Sequence, residues 1–534
     1  MPSSDLRTII NFGGGWATDF GPSFTGSPGG NAITLPFLTT ADNIYYELDG
    51  APHKVGGQTK LNSSQVTESS AAVKFEGIFD YWKQGTAGTE TQRRVAVVGT
   101  KYMQDQGSGS WTSIATGKEL GKTPCFEVFK DHVIIATTST VDPPGKWDQT
   151  TYASLGGTPP QFSFMVRHKN RIWAAGVAAF PSRLYYSALE NDEDWTTAGD
   201  AGSMTIDSDD GDRIVGLASH KGELFIFKGP NRLSIHRLVG SAPTGDDAFI
   251  RVPFITGVGG VNHNTIIRIN DDLVFASPRG IHSLAATAAF GNYIEAFLTH
   301  PILSYYQDSL NPSVRNTGWG VNHFRRGYAV WTFAPSGDTT KSVYLILDYR
   351  FQPARWARWY GTWNGSTWAQ YNGANCLAVM QDSSRKHQLY SGGNDGYVRQ
   401  LDASARTVDA SQSYTGTVIT PYLNFGSSAS KKNCTFGFLS LNPKGNYNME
   451  FGYTRDGGTE TTVSVSQAGG FVLDTSQLDI DRLSGGRYIT RAFDMKGDFR
   501  DIQLRFSQSG SATDMEPHLL ELHVTPTGVS TENT

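Results

Sequence analysis

The sequence predicts an all-β protein in which a β-propeller of about six or seven blades is followed by a C-terminal β-sandwich. One basis for this prediction is the composition: 59 of the 534 residues are glycine, 12% are aromatic and only 18% are charged. Glycine supplies the positive φ angles of tight turns and aromatic side chains pack well on pleated strands, so this mixture is typical of many short strands. The other two observations are a repeated hairpin and a change of pattern after residue 402.

The repeated hairpin occurs between residues 75 and 402. Each copy has a short apolar strand, a polar turn, a second apolar strand and, after a further turn, a third strand. The five clearest pairs of first and second strands are 125–129 with 132–136, 162–166 with 171–175, 214–218 with 223–227, 265–269 with 273–276, and 319–322 with 328–333. The turns recur roughly every forty to sixty residues, which is near the size of a propeller blade. An irregular series of hairpins within sandwiches is the alternative.

The pattern also divides the chain into segments. Residues 1–40 are rich in glycine and predict an N-terminal arm that reaches a neighbouring subunit or ring. Residues 41–74 predict an opening strand pair, and residues 75–402 predict the propeller. Alternating apolar and polar residues predict the sandwich at 410–524, and the polar residues 525–534 predict a flexible tail.

Charge and cysteine content argue against several classes of protein. The net charge is −5, from 45 basic and 50 acidic residues, which does not suit a protein that grips nucleic acid by neutralising phosphates. The three cysteines, Cys125, Cys376 and Cys434, are odd in number and widely spaced, so we expect buried free thiols rather than disulfides or a zinc site. The first residues lack a signal peptide, and the apolar runs are too short to predict a membrane span.

Residues 117–123 (GKELGKT) end like a phosphate-binding loop. That motif needs a further glycine where this chain has Thr116, and it needs a helix to begin directly afterwards. Here Pro124 follows and then a predicted strand. We therefore expect a basic loop between blades and no nucleotide cofactor.

Two acidic segments invite comparison with metal-binding or propeller-specific motifs. Residues 207–212 (DSDDGD) offer oxygen ligands for calcium, but Gly211 falls where an EF-hand needs a ligand. Residues 454–459 (TRDGGT) faintly resemble the Asp-box turn of sialidase propellers, without its usual aromatic residue. We expect a turn between blades at the first segment, a hairpin turn at the second, and no metal site.

Signatures of nucleophilic or zinc-dependent catalysis are missing from the sequence. It has no G-x-S-x-G elbow, no protease signature around a cysteine and no H-E-x-x-H motif. The twelve histidines are scattered, and we expect those in polar turns, such as His168 and His220, to be exposed. The sequence thus predicts that the protein is not an enzyme and has no catalytic residues.

Carboxylates and aromatic residues raise the question of carbohydrate chemistry. Glu190, Asp192, Glu193 and Asp194 precede Trp195, but glycosidase chemistry needs two carboxylates placed by the fold on either side of a sugar, and we expect a solvated loop. A second group of aromatic residues could bind glycans but is more typical of strand packing. Its members are Trp356, Trp359, Tyr360, Trp363 and Trp368.

Several short sequence segments together resemble segments of the tail nozzle proteins of short-tailed bacteriophages (tail tubular protein B-like). They are NIYYELDG at 43–50 with KVGGQTKL at 54–61, RIWAAG at 171–176 with RLYYSA at 183–188 and Trp195, LYSG at 389–392 with DGYVRQLD at 395–402, and TPYLNFG at 420–426 with Lys431 and Lys432. In that family the segments that correspond to 43–50 and 54–61 lie ahead of a propeller, and the segment that corresponds to 420–426 belongs to the strand that leaves the propeller.

The resemblance implies a structural subunit of a virion tail, assembled in the host cytoplasm. Such a subunit forms a ring, expected to be a hexamer, below the tail adaptor protein and possibly next to tail fibres. The ring continues the DNA conduit and serves in genome ejection, so we expect a channel wall that lets DNA pass without tight binding. The alternatives are a propeller-type glycan- or receptor-binding virion protein and a polysaccharide hydrolase on a propeller scaffold.

Overall fold

The structure is a computed structural model and describes residues 5–11, 14–21, 23–24, 32–85, 88–290, 297–363, 368–409, 412–468, 488–495 and 497–529. The chain forms two compact units. The propeller unit comprises Lys60–Tyr344 and Gly373–Leu401, and the sandwich unit comprises Met1–Thr59, Leu345–Asn372 and Asp402–Thr534. The chain crosses between the units four times, within the strands Gly57–Lys60, Val343–Asp348 and Val398–Ala403 and between Asn372 and Gly373.

Seven antiparallel sheets, the blades, make up the described part of the propeller unit. Blades 1 to 4 have four strands each. Blade 1 consists of Phe75–Gln84, Glu90–Val98, Lys101–Asp105 and Thr112–Ala115, and blade 2 of Pro124–Phe129, His132–Thr137, Gly145–Trp147 and Tyr152–Ser154. Blade 3 consists of Phe164–His168, Arg171–Ala175, Arg183–Tyr186 and Gly202–Thr205, and blade 4 of Arg213–His220, Glu223–Gly229, Ser234–Val239 and Ile250–Thr256. Blade 5 has three strands, Ile267–Ile269, Asp272–Ala276 and Ile281–Ser283. Blade 6 has Trp319–His323, Tyr328–Phe333 and the beginning of Val343–Asp348. Blade 7 has four strands, Cys376–Gln381, His387–Gly392, Val398–Ala403 and Gly57–Lys60. The predicted propeller is confirmed.

The first strands of the blades form a closed ring around the axis of the unit. Each packs against the first strand of the next blade, except that the 3-10 turn His263–Thr265 makes the contact between blades 4 and 5. The ring closes between blades 7 and 1. There the Asn375 side-chain amide donates to the Phe75 carbonyl at 2.7 Å, and the Gln381 backbone amide donates to an Asp80 carboxylate oxygen at 2.9 Å. The innermost strands of the described blades are therefore packed against one another in a closed ring.

Separate apolar clusters fill the spaces between neighbouring blades. Between blades 3 and 4, for example, Trp173 lies fully buried with its ring centroid 5.0 Å from that of Tyr186 and 4.8 Å from that of Phe249. Comparable clusters lie between blades 1 and 2, 2 and 3, and 4 and 5. Burial of these side chains, rather than hydrogen bonding between sheets, stabilises the stacking of the blades.

Backbone conformations at the predicted hairpin turns explain why the repeats are visible in the sequence. Lys169 and Asn170 have φ angles of 48° and 56°, and Lys221 and Gly222 have φ angles of 50° and 79°. Two successive positive φ angles give the type of two-residue turn that matches the twist of paired strands. Asn and Gly adopt this conformation at the least cost.

The connection between blades 5 and 6 contains the helical segments. They are the α-helix Leu284–Phe290, the 3-10 turns His300–Ile302 and Pro312–Thr317, and the π-turn Tyr305–Ser309. A small hairpin of Thr67–Glu68 and Ala71–Ala72 precedes blade 1. No helix in the described residues is long and apolar enough to cross a membrane.

Two sheets form the sandwich unit. The first has the strand order Ala32–Thr34, Asp5–Asn11, Pro517–Val529, Ser430–Leu441 and Ile489–Asp494, and Asp498–Phe499 also pairs with its fourth strand. The second, within this unit, has the order Ser23–Phe24, Tyr422–Leu423, Ile502–Gln508, Gly416–Ile419, Thr40–Asp42 and Arg355–Trp363. Its further strands are Asn448–Arg455, Thr461–Ser466 and Trp368–Gln370. The hairpin of Ile44–Tyr46 and Pro52–Lys54 completes the unit.

The two sheets pack face to face through aromatic residues. The ring of Phe493, from the first sheet, lies 4.6 Å from that of Phe451, from the second, and Phe451 in turn lies 5.2 Å from Phe506. The predicted strands of residues 415–524 are present with ends shifted by a few residues. The predicted sandwich is therefore confirmed, with additional strands from the N-terminal part of the chain.

The segment boundaries differ from the expected ones. Asp5–Asn11 pairs antiparallel with Pro517–Val529, and Ile9 and Trp16 are buried, so these parts of the expected 1–40 arm belong to the chain's own sandwich unit. The glycine-rich stretch 26–30 lies outside the described residues. Residues 525–529 continue the last strand instead of beginning a flexible tail, because their backbone pairs with the start of Ser430–Leu441.

The buried position of Trp173 generates the first prediction. Replacing Trp173 by alanine removes the ring between blades 3 and 4, and we expect the free energy of unfolding of the propeller unit to fall by about 3–5 kcal/mol. Denaturant titration monitored by fluorescence and circular dichroism measures this loss. Leu120→Ala, at a site where the side chain is 63% exposed, is the control and should change stability by no more than about 0.5 kcal/mol. Equal effects of both changes would contradict the packing described here.

Candidate functional site

A cavity of about 440 Å³ lies at the N-terminal ends of the first strands of blades 2 to 5. Pro124, Phe164 and Arg213, the first residues of the first strands of blades 2, 3 and 4, line it together with His263 from the turn before blade 5. We call this space the axial cavity. Its volume falls in the range of about 300–1,000 Å³ that is usual for small-molecule sites.

His263 lies at the centre of the polar wall of the axial cavity. Its Nδ1 accepts a hydrogen bond from the Leu217 backbone amide at 3.3 Å, so the proton of the neutral ring is on Nε2. Burial lowers the pKa of His263 to about 4, and the imidazole is therefore neutral at pH 7. The ring stacks on Phe164 with centroids 5.3 Å apart. His263 can thus offer a hydrogen-bond donor from a fixed, uncharged ring.

The asparagines on either side of His263 shape the same wall. The Asn262 side chain donates to the carbonyls of Asn316 and Gly318 and accepts from the Thr265 backbone amide at 2.9 Å. These bonds fix the turn that carries His263. The Asn264 amide nitrogen lies 3.4 Å from the Pro124 carbonyl, and its side chain lines the cavity.

Apolar side chains form another part of the lining. They include Val177, Ala178 and Pro181 from the loop after the second strand of blade 3, and Val261. With Phe164, whose ring stacks on His263, they give the cavity a carbon surface beside its amide, imidazole and hydroxyl groups. A site with these two kinds of surface suits a ligand that is itself amphipathic.

A second cavity of about 290 Å³ adjoins the first strands of blades 1, 2, 6 and 7 and shares His263 and Asn264 with the axial cavity. Asp80 is the one acidic residue in the described lining of the two cavities. Its two carboxylate oxygens accept hydrogen bonds from the Gln92 side chain and the Gln381 backbone amide. Asp80 therefore takes part in ring closure.

The acidic run at residues 207–212 forms the turn between blades 3 and 4, as expected, and its carboxylates are engaged within the chain. Asp207 pairs with Arg251, and Asp210 lies 2.5 Å from the Lys228 ammonium. Asp212 is buried and accepts three backbone hydrogen bonds from the turn that follows the second strand of blade 4.

The loop at residues 117–123 leads into the strand Pro124–Phe129 and not into a helix, as predicted. The Lys118 ammonium lies 5.2 and 5.1 Å from the ring centroids of Tyr102 and Tyr152, and the Lys122 ammonium lies 2.9 Å from Glu119. Both lysines thus take part in local packing and pairing.

The carboxylates near Trp195 bind neighbouring groups of blades 2 and 3. Asp192 lies 2.6 Å from His132 Nε2, Glu193 lies 2.5 Å from the Lys146 ammonium, and Asp194 accepts from the backbone amides of Thr196 and Thr197. Asp192 is buried, so the expectation of a solvated loop is wrong for this residue. The axial cavity does not include these residues.

The aromatic residues singled out as possible glycan binders lie in the sandwich unit. Trp356 and Trp359 are fully buried, and the Trp359 indole donates to the Ile44 carbonyl at 2.7 Å. Burial in a core confirms the preference for strand packing at these two positions.

Other sequence-based expectations are settled by local geometry. Residues 454–459 form the hairpin turn between Asn448–Arg455 and Thr461–Ser466, as predicted. The three cysteines are free and buried, as predicted. His168 and His220 are buried, so the expectation that they are exposed is wrong: the His168 ring lies over Trp173 and its Nδ1 lies 2.8 Å from the Ser219 hydroxyl.

A second polar cluster lies inside the sandwich unit. Asp49, Glu516 and His518 bring one ligand atom each within 4.8 Å of one another and could in principle hold a metal ion. Glu516 is already engaged, because its carboxylate contacts the Lys444 ammonium and lies 2.8 Å from His53 Nε2. The other Glu516 oxygen lies 2.8 Å from His518 Nε2, and His518 Nδ1 lies 3.2 Å from an Asp49 oxygen, so the three residues already contact one another directly.

Comparison with known proteins gives fold-level likeness. No family model and no curated protein matches the chain. Among solved structures, an exo-β-1,3-galactanase from Phanerochaete chrysosporium is 10% identical, with 88% of this chain and 100% of that chain covered and a TM-score of 0.27. YCF48 bound to a D1 peptide is 9% identical over 65% and 97% of the two chains, with a TM-score of 0.33. A Polycomb Repressive Complex 2 structure from Chaetomium thermophilum is 8% identical over 66% and 98%, with a TM-score of 0.39.

These likenesses concern the propeller class, and they correct one expectation. The prediction that the chain is not an enzyme rested on missing motifs, whereas the similar structures include glycoside hydrolases. Motif searches test for residues that are close in sequence, and a site assembled from several blades escapes them. At these identities the comparisons assign neither a substrate nor a reaction.

The polar cluster of the sandwich unit generates the second prediction. Burial opposes protonation of His53, but hydrogen bonds and ion pairs with Asp514 and Glu516 outweigh it and hold the pKa of His53 above its ordinary 6.5. The resulting stabilisation is complete below pH 6.5 and is lost as the pH rises through the raised pKa. His53→Gln should therefore lower the free energy of unfolding by about 1–3 kcal/mol at low pH and much less at about pH 9.

Denaturant titrations across this range measure the effect, with hydrogen exchange of strand Pro52–Lys54 as a local readout. His523→Gln is the matched control, because the His523 ring packs against Phe436 with centroids 4.4 Å apart and has aromatic neighbours. A pH profile of His53→Gln that runs parallel to that of the unchanged protein would rule out the ion-pair argument.

Proposed function

We propose that the protein is a propeller-type binding protein that holds a saccharide in the axial cavity. The observation that carries this proposal is the mixed polar and apolar lining of the cavity. His263 Nε2–H, Asn264 and the hydroxyl groups of Thr138 and Ser163 offer hydrogen-bonding groups, and Phe164 offers an aromatic surface. A pyranose ring has hydroxyl groups around its edge and C–H surface on its faces, which matches such a lining.

The third prediction tests binding at the axial cavity. Ala178 is an exposed residue at the lining, whereas the adjacent Ala179 is exposed and does not line the cavity. Ala178→Trp should obstruct the cavity and weaken saccharide binding at least tenfold, or by about 1.4 kcal/mol. Ala179→Trp, the matched control, should leave binding unchanged.

Binding is first screened on a glycan array with the unchanged full-length protein and then measured by calorimetry with the two variants. Failure to bind any saccharide, or equal binding by both variants, would contradict the proposal. Release of reducing ends from a bound oligosaccharide would extend the function from binding to hydrolysis, which the alternative of a polysaccharide hydrolase requires.

We propose a nozzle-type tail subunit as a second candidate function, and it rests on the sequence resemblance. The segments that carry the resemblance form strands, with Ile44–Tyr46 in the segment at 43–50, Gly57–Lys60 in the segment at 54–61 and Val398–Ala403 beginning in the segment at 395–402. Assembly into a ring of identical subunits tests this candidate directly.

The fourth prediction concerns this assembly. A nozzle-type subunit should form a closed ring, expected to be a hexamer, alone or with its adaptor ring. Native mass spectrometry gives the copy number and negative-stain electron microscopy shows the central opening. A protein that remains monomeric at all concentrations, and in mixtures with tail proteins of the same particle, would argue against the nozzle function and leave the saccharide proposal unaffected.

A further inference from the structure

Arg213 is the charged residue of the axial cavity. Among the described residues that line the cavity, it alone carries a formal charge at pH 7, because His263 is neutral and the lining has no Asp, Glu or Lys. Its side chain is exposed at the first position of blade 4, where its backbone pairs with Gly229. In the described part of the chain its guanidinium makes no hydrogen bond and no ion pair.

The nearest acidic residues in sequence do not neutralise Arg213. Asp212 accepts the backbone amides of Asn231, Arg232 and Leu233 at 2.7–3.0 Å. Asp210 lies against the Lys228 ammonium, and Asp207 pairs with Arg251. The carboxylates of Asp207, Asp210 and Asp212 thus have other partners, and none of them lies within ion-pair distance of the Arg213 guanidinium.

The other polar groups of the cavity also favour an anionic ligand. Because Nδ1 of His263 accepts from the Leu217 backbone amide, the Nε2 side of the ring is a donor. An Arg guanidinium offers five N–H donors in a planar fork and no acceptor, a geometry that matches carboxylate and other oxyanions. A cavity with an unpaired guanidinium, a neutral imidazole donor and no carboxylate in its own described lining favours an anionic group over a neutral one.

We infer that the saccharide bound in the axial cavity is acidic and that Arg213 binds its anionic group. This inference rests on the proposed saccharide binding and adds the ligand's charge to it. The anionic group is an oxyanion, and either the carboxylate of a uronic acid or a sulfate ester on a sugar would present it. The hydroxyl groups of the ring would then face the amides and His263, and its C–H surface would face Phe164.

The experiment compares three oligosaccharides of matched length: a uronic-acid oligomer, a sulfated oligomer and the corresponding neutral oligomer. Calorimetry measures the binding of each to the unchanged protein, to Arg213→Ala and to Arg232→Ala. Arg232 is the matched control, because it is an exposed arginine of the same blade that does not line either cavity. Circular dichroism and thermal unfolding establish that all three proteins are folded.

We expect at least one acidic oligomer to bind tenfold or more tightly than the neutral one, and this preference to disappear in Arg213→Ala but not in Arg232→Ala. The preference should also weaken as salt is raised, because the charges meet at an exposed position. The better of the two acidic oligomers identifies carboxylate or sulfate as the anionic group.

The two proposals fail in different ways. Equal binding of acidic and neutral oligomers, with no effect of Arg213→Ala, would overturn the acidic-ligand inference and leave saccharide binding in place. A loss of preference in Arg232→Ala as large as that in Arg213→Ala would also overturn it, since the effect would then reflect general surface charge. Binding of no oligomer at all would overturn both proposals.

Discussion

The contact between blade 7 and blade 1 is the constraint on which the propeller unit depends. Each of the other blade interfaces joins sheets that follow one another in the chain, whereas this one joins sheets about 300 residues apart. Side-chain amides and carboxylates make the contact, with Asn375 bonded to Phe75 and Asp80 bonded to Gln381. These hydrogen bonds fix how blade 7 is aligned against blade 1, which apolar packing alone does not determine. Once the ring is closed, the positions of all seven first strands are fixed together.

Hydrogen bonds hold one part of the wall of the axial cavity in place. The turn that carries His263 replaces a direct contact between the first strands of blades 4 and 5, and it is therefore part of the ring of inner strands. The Asn262 side chain donates to carbonyls of the segment before blade 6, and the Leu217 backbone amide of blade 4 donates to the His263 imidazole. A ligand that enters the cavity meets an imidazole that is already oriented, and little conformational entropy of this side chain remains to be lost on binding.

Much of the propeller could be predicted from local signals, and the site could not. Turns such as Lys169-Asn170 mark hairpins because their backbone conformation restricts which residues fit, and the flanking strands are apolar enough to be recognised. The fourth strands, such as Gly202–Thr205, were missed because they lie at blade edges with many exposed residues. The pairing of Asp5–Asn11 with Pro517–Val529 has no local signature at all. Likewise Phe164, Arg213 and His263 lie about 50 residues apart in sequence, and only the stacking of successive blades brings them to one cavity.

The discontinuous make-up of the sandwich unit has a consequence for synthesis on the ribosome. The partner of Asp5–Asn11 is translated about 500 residues later, which at roughly 5–20 residues per second means a delay of tens of seconds. The propeller blades follow one another in the chain, so each can stack on its predecessor as it emerges. During that interval the N-terminal strand has an unpaired edge and an apolar residue, Ile9, that no later segment yet covers. The nascent chain is therefore exposed to misassociation at this strand, and a holdase that binds extended apolar strands would protect it there.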